Sequence, residues 1–554
     1  MIEPTFEADA CVIGAGPVGL AAALTLADAG RSVLLVESGR AHVDETAQLL
    51  SQAKVLDPVA HAPMAHAVQR GMGGTSALWG GRCVPLDEVD YLARKHVPHS
   101  GWPISQAEVE VCLDEACRFL GAGPAAFQVQ DCSGMTTATR PLVEHLTDTS
   151  LMRGTTLERW SGAPNAWLAH KERAQLHPNL RILSGHTCTG WDQSPDGRIV
   201  GAHLLNHDTG KHVTAAARAH VLAAGGVESA RLVLHSMQTP GGLRPEAADL
   251  VGRFYMGHPS GKLAEVQWHG APSATLHGFE WHDETYVRRR LTLTKTAQDL
   301  HRLQNIAFWL DNPPIANANH GSGLLSAAYL ALTMPVLGAK LAPAAIRERM
   351  LQGHEPQTLK HLWNCLRSPW ATASFASTFA YRRYVAKPRL PGFFTESKNN
   401  RYTLHFHAEQ APQKDSKITL NEEVDHAGVR RATIDLRWSE TDMDSIVRAH
   451  EVLDQALREQ GAGELIHLHA PENRHRAARE QSIDGFHQIG TLRMGDTPDT
   501  GVTDADGKVF GTRNFHVAGS ALFPTSGQAN PTLIAVALAM KQAKHLALSL
   551  GTDS

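Results

Sequence analysis

A glycine-rich turn near the start of the chain, Gly14-Ala-Gly16-Pro-Val-Gly19, constrains the fold more than any other segment. An apolar stretch ending at Ile13 precedes the turn. An Ala- and Leu-rich stretch follows it, before a second apolar stretch that ends at Glu37. A strand, a turn, a helix, a second strand and an acid in this order are typical of a dinucleotide-binding βαβ unit. We therefore expect the chain to begin with a Rossmann-like parallel sheet.

Each glycine of the turn has a separate expected role. Gly14 permits the tight turn, Gly16 lets the backbone approach a pyrophosphate, and Gly19 allows the helix to pack closely on the strand. The helix N-terminus offers free N–H groups and the positive end of its dipole to the phosphates. Glu37 is placed to accept hydrogen bonds from ribose hydroxyls. An acid there argues against a 2′-phosphate and so against NADP, which leaves FAD and NAD open.

A second glycine-rich segment, residues 71–82, distinguishes between FAD and NAD. It reads Gly-Met-Gly-Gly-Thr-Ser-Ala-Leu-Trp-Gly-Gly-Arg. So many glycines suit a backbone that lies against a large planar ligand with its N–H groups exposed. Met72 and Trp79 would be costly in a solvated loop, which argues against a flexible linker.

With these two segments, the chain resembles the glucose–methanol–choline (GMC) oxidoreductase family, whose members bind FAD. The resemblance extends over most of the length, through residues 223–232, 252–259, 514–524 and 530–533. It implies an α/β FAD-binding domain, Rossmann-like and GMC-type, and a second α+β substrate domain built on an antiparallel sheet. Beyond the residues of the first turn and Glu37, it implies FAD contacts at Gly73, Gly74, Thr75, Ser76, Trp79, Gly80, Gly519, Ser520, Asn530, Pro531 and Thr532.

Two positions depart from the family pattern. The family commonly has an Asp in the strand before the final turn, whereas this chain has Gly519, so backbone N–H groups of Gly519 and Ser520 are expected to replace a side-chain contact. Some members attach FAD covalently through a His in the glycine-rich loop, where this chain has Ala77 and Leu78. We therefore expect the FAD to be bound non-covalently.

The length of 554 residues favours two domains over a single core. Residues 1–100, 180–259 and 485–554 are expected to form a discontinuous FAD-binding domain. Residues 101–179 are expected to form a connecting or lid region. Residues 260–484 are expected to form the substrate-binding domain. In that last domain, the clearest strands are 403–408, 417–420 and 431–438, followed by a helix that Ser439 caps.

His487 and Asn530 are the predicted catalytic residues. Oxidising an alcohol to a carbonyl removes a hydride from carbon and a proton from oxygen. A neutral imidazole suits the role of base, and a carboxamide suits that of an orienting group because it does not take up the proton. The family resemblance assigns these roles to His487, within the segment 485–495, and to Asn530, which also suits the N-cap of the last helix.

Composition narrows the classes of function. The chain has 52 basic and 56 acidic residues and a formal charge of −4, with no basic stripe that would indicate nucleic acid. Its seven cysteines are scattered without zinc-like spacing, and no third ligand completes the pair His405 and His407 or the pair His467 and His469, so no metal site is predicted. The N-terminus has neither a basic region nor an apolar signal run, which favours a cytoplasmic location.

One segment does not fit the flavin template. Ser322 to Ala339 runs 18 residues without a charge, is interrupted by Pro335, and is followed by Lys340, Arg347 and Arg349. A membrane span would separate parts of one catalytic domain, which the fold forbids. The segment is therefore expected to be a buried helix, a subunit interface or a helix docked on a membrane surface.

The sequence thus predicts an FAD-dependent oxidoreductase that acts on the CH–OH group of a sugar, polyol or related alcohol, with a small-molecule substrate and an unassigned electron acceptor. One alternative is a membrane-docked dehydrogenase subunit that passes electrons to a quinone or cytochrome. Another is a GMC-fold flavoprotein with non-redox lyase or photoenzyme activity. The pair of His487 and Asn530 favours redox chemistry over this last alternative.

Overall fold

The fold combines a parallel sheet with an antiparallel one. The computed structural model describes residues 5–552, apart from residues 43, 342–346, 348–349, 352–356 and 387–388. The described helices are α1 (Pro17–Asp28), α2 (Glu45–Leu49), α3 (Met64–Ala67), α4 (Glu88–Tyr91), α5 (Gln106–Glu110), α6 (Leu113–Phe119), α7 (Ala166–Leu176), α8 (Gly226–Ser236), α9 (Lys295–His301), α10 (Gly323–Thr333), α11 (Pro335–Leu341), α12 (Thr358–Arg367), α13 (Pro369–Tyr384), α14 (Glu440–Glu459), α15 (Arg474–Gln481) and α16 (Thr532–Thr552).

The described strands fall into three sheets. They are β1 (Thr5–Ile13), β2 (Val33–Glu37), β3 (Lys54–Val55), β4 (Arg82–Cys83), β5 (Met152–Trp160), β6 (Leu180–Ser184), β7 (His186–Gln193), β8 (Ile199–Asn206), β9 (Lys211–Leu222), β10 (Ser260–Trp268), β11 (Glu280–His282), β12 (Thr285–Leu293), β13 (Ile306–Asp311), β14 (Arg401–Ala408), β15 (Lys417–Val424), β16 (Arg430–Asp435), β17 (Gly463–His467) and β18 (Phe515–Val517). The smallest sheet has the order β15-β16-β3.

The first sheet has the strand order β6-β2-β1-β9-β8-β7, and β18 also pairs with β9. Strands β6, β2, β1 and β9 run parallel, and Ile13 is in register with both Val36 and Leu222. The carboxyl ends of three strands therefore meet at one edge, where ligands bind in open α/β sheets. The predicted parallel sheet is confirmed, and the second strand ends at Glu37 as predicted.

The last helix, α16, packs in the core beside α1, with Leu533, Val536 and Leu538 fully or almost fully buried. Among the described residues, Thr532–Gly551 is the one helix long and apolar enough to cross a membrane, and 72% of its apolar window is buried. Two neighbouring helices, Gly323–Thr333 and Pro335–Leu341, pass the same test only as a pair bent by 110°.

The second sheet has the order β17-β10-β14-β13-β12-β5-β4, and its described pairs are antiparallel. One face is apolar and packs on α14, where Phe308 and Phe406 contact the ring of His450. Side chains alternate between the faces of a strand, so the opposite face carries a different set of residues. The pairing registers place His405, His407, Trp309, Arg288, Arg290, Glu158 and Arg82 on it.

These observations confirm the predicted fold class, an α/β FAD-binding domain with an α+β domain on an antiparallel sheet. The predicted cap is also present, because Ser439 accepts a hydrogen bond from the N–H of Asp442 at the start of α14. Two strands of the antiparallel sheet, β4 and β5, come from residues 82–160, so the segment 101–179 contributes a strand to the substrate sheet. The domain boundaries themselves remain a proposal.

The charge-free segment 322–339 forms two helices instead of one. Ser322 caps α10, and the chain bends at Met334 before α11, as the proline at 335 requires. Leu325 and Leu332 of α10 are buried, whereas Met334 and Val336 are 54% and 73% exposed. The segment is thus half buried helix and half surface. Of the basic residues that follow it, Arg349 lies outside the described residues.

Candidate active site

A cavity of about 540 Å³ lies at the carboxyl edge of the parallel sheet. Its walls come from the ends of β1, β2 and β9, from the loop after residue 71, and from the loops before and within 485–532. Of the predicted site residues, those that line it are Gly14, Gly16, Glu37, Gly74, Thr75, Ser76, Trp79, Gly80, His487, Gly519, Ser520, Asn530, Pro531 and Thr532. Gly19 and Gly73 lie outside its lining, and both serve the packing behind it.

The three glycines of the first turn differ in what surrounds them. Gly14 has a φ of +102°, and a Cβ there would lie 2.6 Å from the carbonyl oxygen of Ala223. A Cβ at Gly19 would lie 1.9 Å from the carbonyl oxygen of Gly14, so α1 can approach the strand only without a side chain at that position. A Cβ at Gly16 meets nothing within 4 Å. The space beside Gly16 therefore belongs to the cavity, which fits the approach of a pyrophosphate.

Glu37 joins the first turn to the second glycine-rich segment. Its carboxylate accepts hydrogen bonds from the N–H groups of Ala15 at 2.9 Å, Gly39 at 3.0 Å and Gly71 at 3.1 Å. Burial raises the pKa of Glu37, although these donors and Arg70 act in the opposite direction. A carboxylate has about four acceptor sites, so the protein uses three and one remains at the cavity wall.

The second glycine-rich segment closes over the first turn. Gly73 donates its N–H to the carbonyl of Ala15 at 2.9 Å, and a Cβ on Gly74 would lie 3.0 Å from the Cα of Gly16. Residues Gly74–Ala77 form a short 3-10 turn. The indole N–H of Trp79 donates to the carbonyl of Pro164 at 2.5 Å. The segment is thus a fixed wall of the cavity, as its glycines and its tryptophan predicted.

His487 and Asn530 meet directly at the cavity wall. Asn530 Nδ2 lies 2.7 Å from His487 Nε2, although the two residues are 43 positions apart. Asn530 Oδ1 is buried and has no hydrogen-bond partner among the residues that the structure describes. The loop that carries His487 is held by Ser520, whose hydroxyl donates to the carbonyl of Gln488 at 2.7 Å.

Asp484 stands behind His487 and was not among the predicted residues. Its Oδ2 lies 3.3 Å from His487 Nδ1 and accepts the backbone N–H of His258 at 2.6 Å. Its Oδ1 accepts the backbone N–H groups of Phe486 at 2.9 Å and His487 at 3.1 Å. Burial would raise the pKa of Asp484, but the charge and hydrogen bonding of His487, with His258, outweigh burial and hold it at about 2. Asp484 is therefore an anion at neutral pH.

Two buried imidazoles, His258 and His407, flank His487. Their rings stack on each other at 4.3 Å and both meet the His487 ring edge to face, at 4.9 Å and 5.4 Å. Burial lowers the pKa of His258 to about 3 and that of His407 well below its usual range, and neighbouring positive groups add to both effects. Both imidazoles are therefore neutral at physiological pH and place no positive charge beside His487.

The three imidazoles also have ring nitrogens within 4.8 Å of one another, a spacing that a transition metal ion would accept. The prediction from sequence paired His407 with His405 and found no third ligand. His405 instead stacks on Trp309 at 4.5 Å, while His407 Nδ1 bonds to the carbonyl of Gln528 at 2.7 Å. No sequence pattern indicated this grouping, because His258, His407 and His487 lie in three distant segments.

Arg82 is a further cavity residue that the motifs did not single out. It is the last residue of the second glycine-rich segment and begins β4. Its guanidinium lies 4.1 Å from the ring of Trp309 and its Nε lies 2.6 Å from Oε2 of Glu158. The available signal was its position at the end of the glycine-rich loop, where the chain enters a strand of the adjacent sheet.

Two families of known proteins match this chain. Residues 7–233 match the FAD binding domain family and residues 412–539 match the GMC oxidoreductase family. Among curated proteins, the chain is 31% identical over 141 residues to paromamine 6'-oxidase of Streptomyces fradiae. This alignment covers 24% of each chain. It is 31% identical over 143 residues to C-glycoside 3-oxidase of Arthrobacter globiformis, which covers 25% of each. The alignments thus span about a quarter of the length of these curated relatives.

Solved structures extend the similarity to the whole fold. A fungal aryl-alcohol oxidase has a TM-score of 0.52 at 13% identity, covering 98% of this chain and 99% of its own. A formate oxidase has a TM-score of 0.53 at 14% identity, covering 100% of both chains. Together these comparisons show an FAD binding domain at residues 7–233, a GMC oxidoreductase domain at residues 412–539, and an overall fold shared with these oxidases.

Proposed function

We propose that this protein is an FAD-dependent oxidoreductase that oxidises the CH–OH group of a sugar, polyol or related alcohol to a carbonyl. The observation that carries this proposal is the contact between His487 and Asn530 at the cavity wall, with the Asp484 carboxylate behind the imidazole. The printed names of the relatives, oxidases of paromamine and of C-glycosides, support the same class of reaction.

The residues that would hold the cofactor fit FAD. The open side of Gly16 suits a pyrophosphate, Glu37 retains an acceptor site for ribose, and the wall formed by residues 74–80 suits a flat ring system. Backbone groups of Gly519 and Ser520 and the start of α16 complete the cavity lining. When bound, FAD supplies the acceptor for the hydride that leaves the alcohol carbon.

His487 is proposed as the base. An ionised Asp484 can only accept hydrogen bonds, so it favours the tautomer of His487 with the proton on Nδ1. Nε2 then keeps its lone pair on the cavity side and can take the proton of a hydroxyl. As the imidazole becomes positive, the adjacent carboxylate stabilises it, which is the role that an orienting acid has in other catalytic triads.

Asn530 is proposed to orient the alcohol. Its Nδ2 now donates to His487 Nε2, and a hydroxyl placed between the two side chains would replace that hydrogen bond. Nδ2 would then donate to the hydroxyl oxygen while Nε2 accepts the hydroxyl proton. The amide does not compete for the proton, so its role is positional. This division of roles favours redox chemistry over the lyase or photoenzyme alternative.

We further propose that the helices between β13 and β14 contact a membrane surface. α12 turns its apolar side outward, since Leu359, Trp363 and Leu366 are 84%, 60% and 70% exposed. These three positions recur at helical spacing and form one stripe. The inner side of α12 carries instead His361 and Asn364, which are buried.

The inward polar side is matched by α10. His361 stacks on Tyr329 at 4.0 Å and its Nδ1 lies 3.0 Å from Ser326 Oγ. Asn364 Nδ2 donates to the carbonyl of Ala318 at 2.9 Å. These satisfied hydrogen bonds anchor α12 with its apolar stripe toward the solvent, because turning the helix over would bury the stripe but strand two polar groups.

The neighbouring helices also expose apolar side chains, and the sequence around them is basic. Val336 of α11 and Trp370 of α13 are 73% and 86% exposed. Between residues 312 and 395, Lys or Arg stands at positions 340, 347, 349, 360, 367, 382, 383, 387 and 389, and Glu only at 348 and 355. Apolar side chains with an excess of basic ones match an anionic bilayer. This supports the alternative of a docked dehydrogenase whose electron acceptor is a quinone or cytochrome, and the predicted cytoplasmic location would place it on the inner face of that membrane.

We expect the FAD to be non-covalent, because residues 76–79 offer no His to the cofactor loop. Precipitation of the purified protein with trichloroacetic acid should leave yellow FAD in the supernatant. Flavin retained in the pellet after washing would contradict this expectation.

His487→Ala should slow anaerobic flavin bleaching by an alcohol about 10²- to 10⁴-fold, because a positioned base is lost, with FAD content unchanged. Asn530→Ala should slow it less and raise the apparent Kd for the alcohol. Stopped-flow absorbance measures both quantities. Wild-type bleaching rates in a flavin-loaded His487→Ala variant would remove the base assignment.

Asp484→Asn should slow flavin bleaching by more than about tenfold, because the amide no longer stabilises a positive imidazole. Asp425→Asn is a matched control, since Asp425 is equally buried and accepts backbone N–H groups of Ala427 and Val429 away from the cavity. Both changes should lower the melting temperature, and only Asp484→Asn should lower the rate of bleaching in folded, FAD-loaded protein. Equal rates of flavin bleaching in the two variants would show that Asp484 has only a structural role.

Leu359→Glu combined with Trp363→Glu should abolish co-sedimentation with vesicles of phosphatidylcholine and phosphatidylglycerol, and should preserve FAD content. Leu176→Glu is the control, because Leu176 is 76% exposed on α7, outside these helices. The wild type and the control should bind these vesicles and bind pure phosphatidylcholine more weakly. A wild type that ignores both vesicles would overturn the membrane proposal, and a dimer dispersed by the double variant would make the stripe a subunit interface.

A further inference from the structure

Two arginines on the cavity-facing side of the antiparallel sheet pair with a single carboxylate, and a third arginine lies on the same side. Glu158 is fully buried, and its Oε2 lies 2.6 Å from Arg82 Nε. Its Oε1 lies 2.6 Å from Nε and 2.5 Å from Nη2 of Arg288, and also accepts the indole N–H of Trp160 at 2.9 Å. Burial would raise the pKa of Glu158, but Arg288 and Arg82, with Arg290, outweigh burial and lower it. Glu158 is therefore a fully engaged anion.

The third arginine has only a neutral partner within hydrogen-bond distance. Arg290 is 2% exposed, its Nη1 donates to Gln528 Oε1 at 2.7 Å, and its Nε has no partner among the described residues. Gln528 in turn donates from Nε2 to Asp87 Oδ2 at 3.0 Å. The nearest negative charges are thus Glu158 and Asp87, which leaves three guanidinium groups facing two carboxylates.

The other charged groups of this region are paired or held toward the neutral form. Arg94 pairs with Glu409 at 2.5 Å, and burial together with Glu409 and Asp87 raises the pKa of Asp90 well above its usual range, which favours its neutral form. Lys262 pairs with Asp311 at 2.9 Å on the same sheet. Asp484 is engaged by His487 and by backbone N–H groups. The neighbouring His258 and His407 are neutral, as their lowered pKa values require. The arginine group therefore carries about one uncompensated positive charge beside the catalytic residues, a costly arrangement unless an anion binds there.

Arg82 is the arginine that reaches the cavity. Its side chain is 10% exposed and lines the same cavity as His487 and Asn530. Its guanidinium lies over the ring of Trp309 and is held by the ion pair with Glu158, and its buried Nη2 has no hydrogen-bond partner in the part of the chain that the structure describes. Burial and the neighbouring arginines lower the pKa of Arg82 to about 10, so it remains a cation at neutral pH.

We propose that Arg82 binds a carboxylate of the substrate, so that the alcohol oxidised at His487 and Asn530 is a hydroxy acid or an acidic sugar. This proposal rests on the proposed alcohol oxidation. A guanidinium fixed in its plane, with unused N–H groups, suits the two oxygens of a carboxylate. A single negative charge also balances the excess of the arginine group, whereas an amino sugar would meet charge of its own sign.

The first arm of the test compares substrates with the FAD-loaded wild type. D-Glucuronate, D-glucose, D-glucosamine and D-glucose 6-phosphate are mixed anaerobically with the enzyme, and the rate and apparent Kd of flavin bleaching are measured. Glucuronate should have the lowest apparent Kd, about 10- to 100-fold below that of glucose, the range expected of a hydrogen bond to a charged group. Glucose binding as tightly as glucuronate would overturn the proposal, and so would tighter binding of the phosphate ester.

The second arm changes Arg82 itself. Arg82→Gln should lower the ratio of affinity for glucuronate to affinity for glucose by about 10- to 100-fold, and Arg82→Lys, which keeps the charge but loses the planar fork, should restore part of it. An unchanged ratio in Arg82→Gln would contradict the proposal. If Arg82→Gln fails to fold, the wild-type substrate comparison and Arg82→Lys still decide it.

A third measurement separates this proposal from the proposed oxidation. Acetate is titrated into the oxidised, FAD-loaded enzyme, and the visible flavin spectrum reports binding without turnover. Acetate binding that weakens in Arg82→Gln supports the carboxylate site, even where no alcohol bleaches the flavin and the oxidation itself fails. Acetate that binds wild type and Arg82→Gln equally contradicts the site, even where the enzyme oxidises neutral alcohols.

Discussion

The end of the cavity that carries His487 depends on one buried carboxylate, Asp484. It binds the backbone of His258 and of residues 486–487, and it contacts the imidazole of His487. The main chain of Asp484 is also held, because its carbonyl accepts the N–H of Ala62 at 2.7 Å. Three segments distant in sequence are therefore fixed around one anion. Burying this anion costs desolvation free energy, which several charge-assisted hydrogen bonds offset.

Close packing around Asp484 explains the glycines that flank it. A Cβ on Gly257 would lie 2.8 Å from Asp484 Oδ2, and a Cβ on Gly485 would lie 2.5 Å from the ring of His61. The position of His487 thus follows from contacts that tolerate little change in volume. A preorganised base of this kind avoids the cost of ordering the loop during the reaction.

Charge is distributed unevenly around the cavity. On the side of the parallel sheet, Glu37 faces backbone N–H groups, and beside the base, burial keeps His258 and His407 neutral. On the side of the antiparallel sheet, buried arginines exceed the carboxylates that face them. The loops beside the parallel sheet therefore present mainly backbone groups, whereas the antiparallel sheet presents side-chain charge.

The parts of the fold that sequence predicted are those set by local rules. Gly14, Gly19 and the cap at Ser439 are dictated by turn geometry, close packing and helix ends, and each has the expected surroundings. The contact of His487 with Asn530 was expected from family resemblance, not from spacing. Asp484 was missed because its partner His258 lies 226 positions away, although an acid three residues before the predicted base was a usable signal.

The orientation of α12 could not be predicted either. An apolar stripe at helical spacing ordinarily faces the core, whereas Leu359, Trp363 and Leu366 face outward because His361 and Asn364 are bonded to α10. The predicted segment 322–339 correctly marked an unusual region, but most of the exposed surface lies beyond it in α12 and α13. The hydrogen bonds of His361 and Asn364 determine which side of α12 faces the solvent, and the apolar periodicity alone does not.

The central claim is that this protein removes a hydride from a CH–OH carbon while His487 takes the hydroxyl proton. The most direct measurement is anaerobic single-turnover bleaching of the bound flavin by one alcohol in protiated and carbinol-deuterated form, with analysis of the product. The account predicts slower bleaching with the deuterated alcohol and one carbonyl product per flavin reduced. A flavin that stays oxidised with glycosides, acidic sugars and polyols alike, or a product formed without flavin reduction, would contradict it.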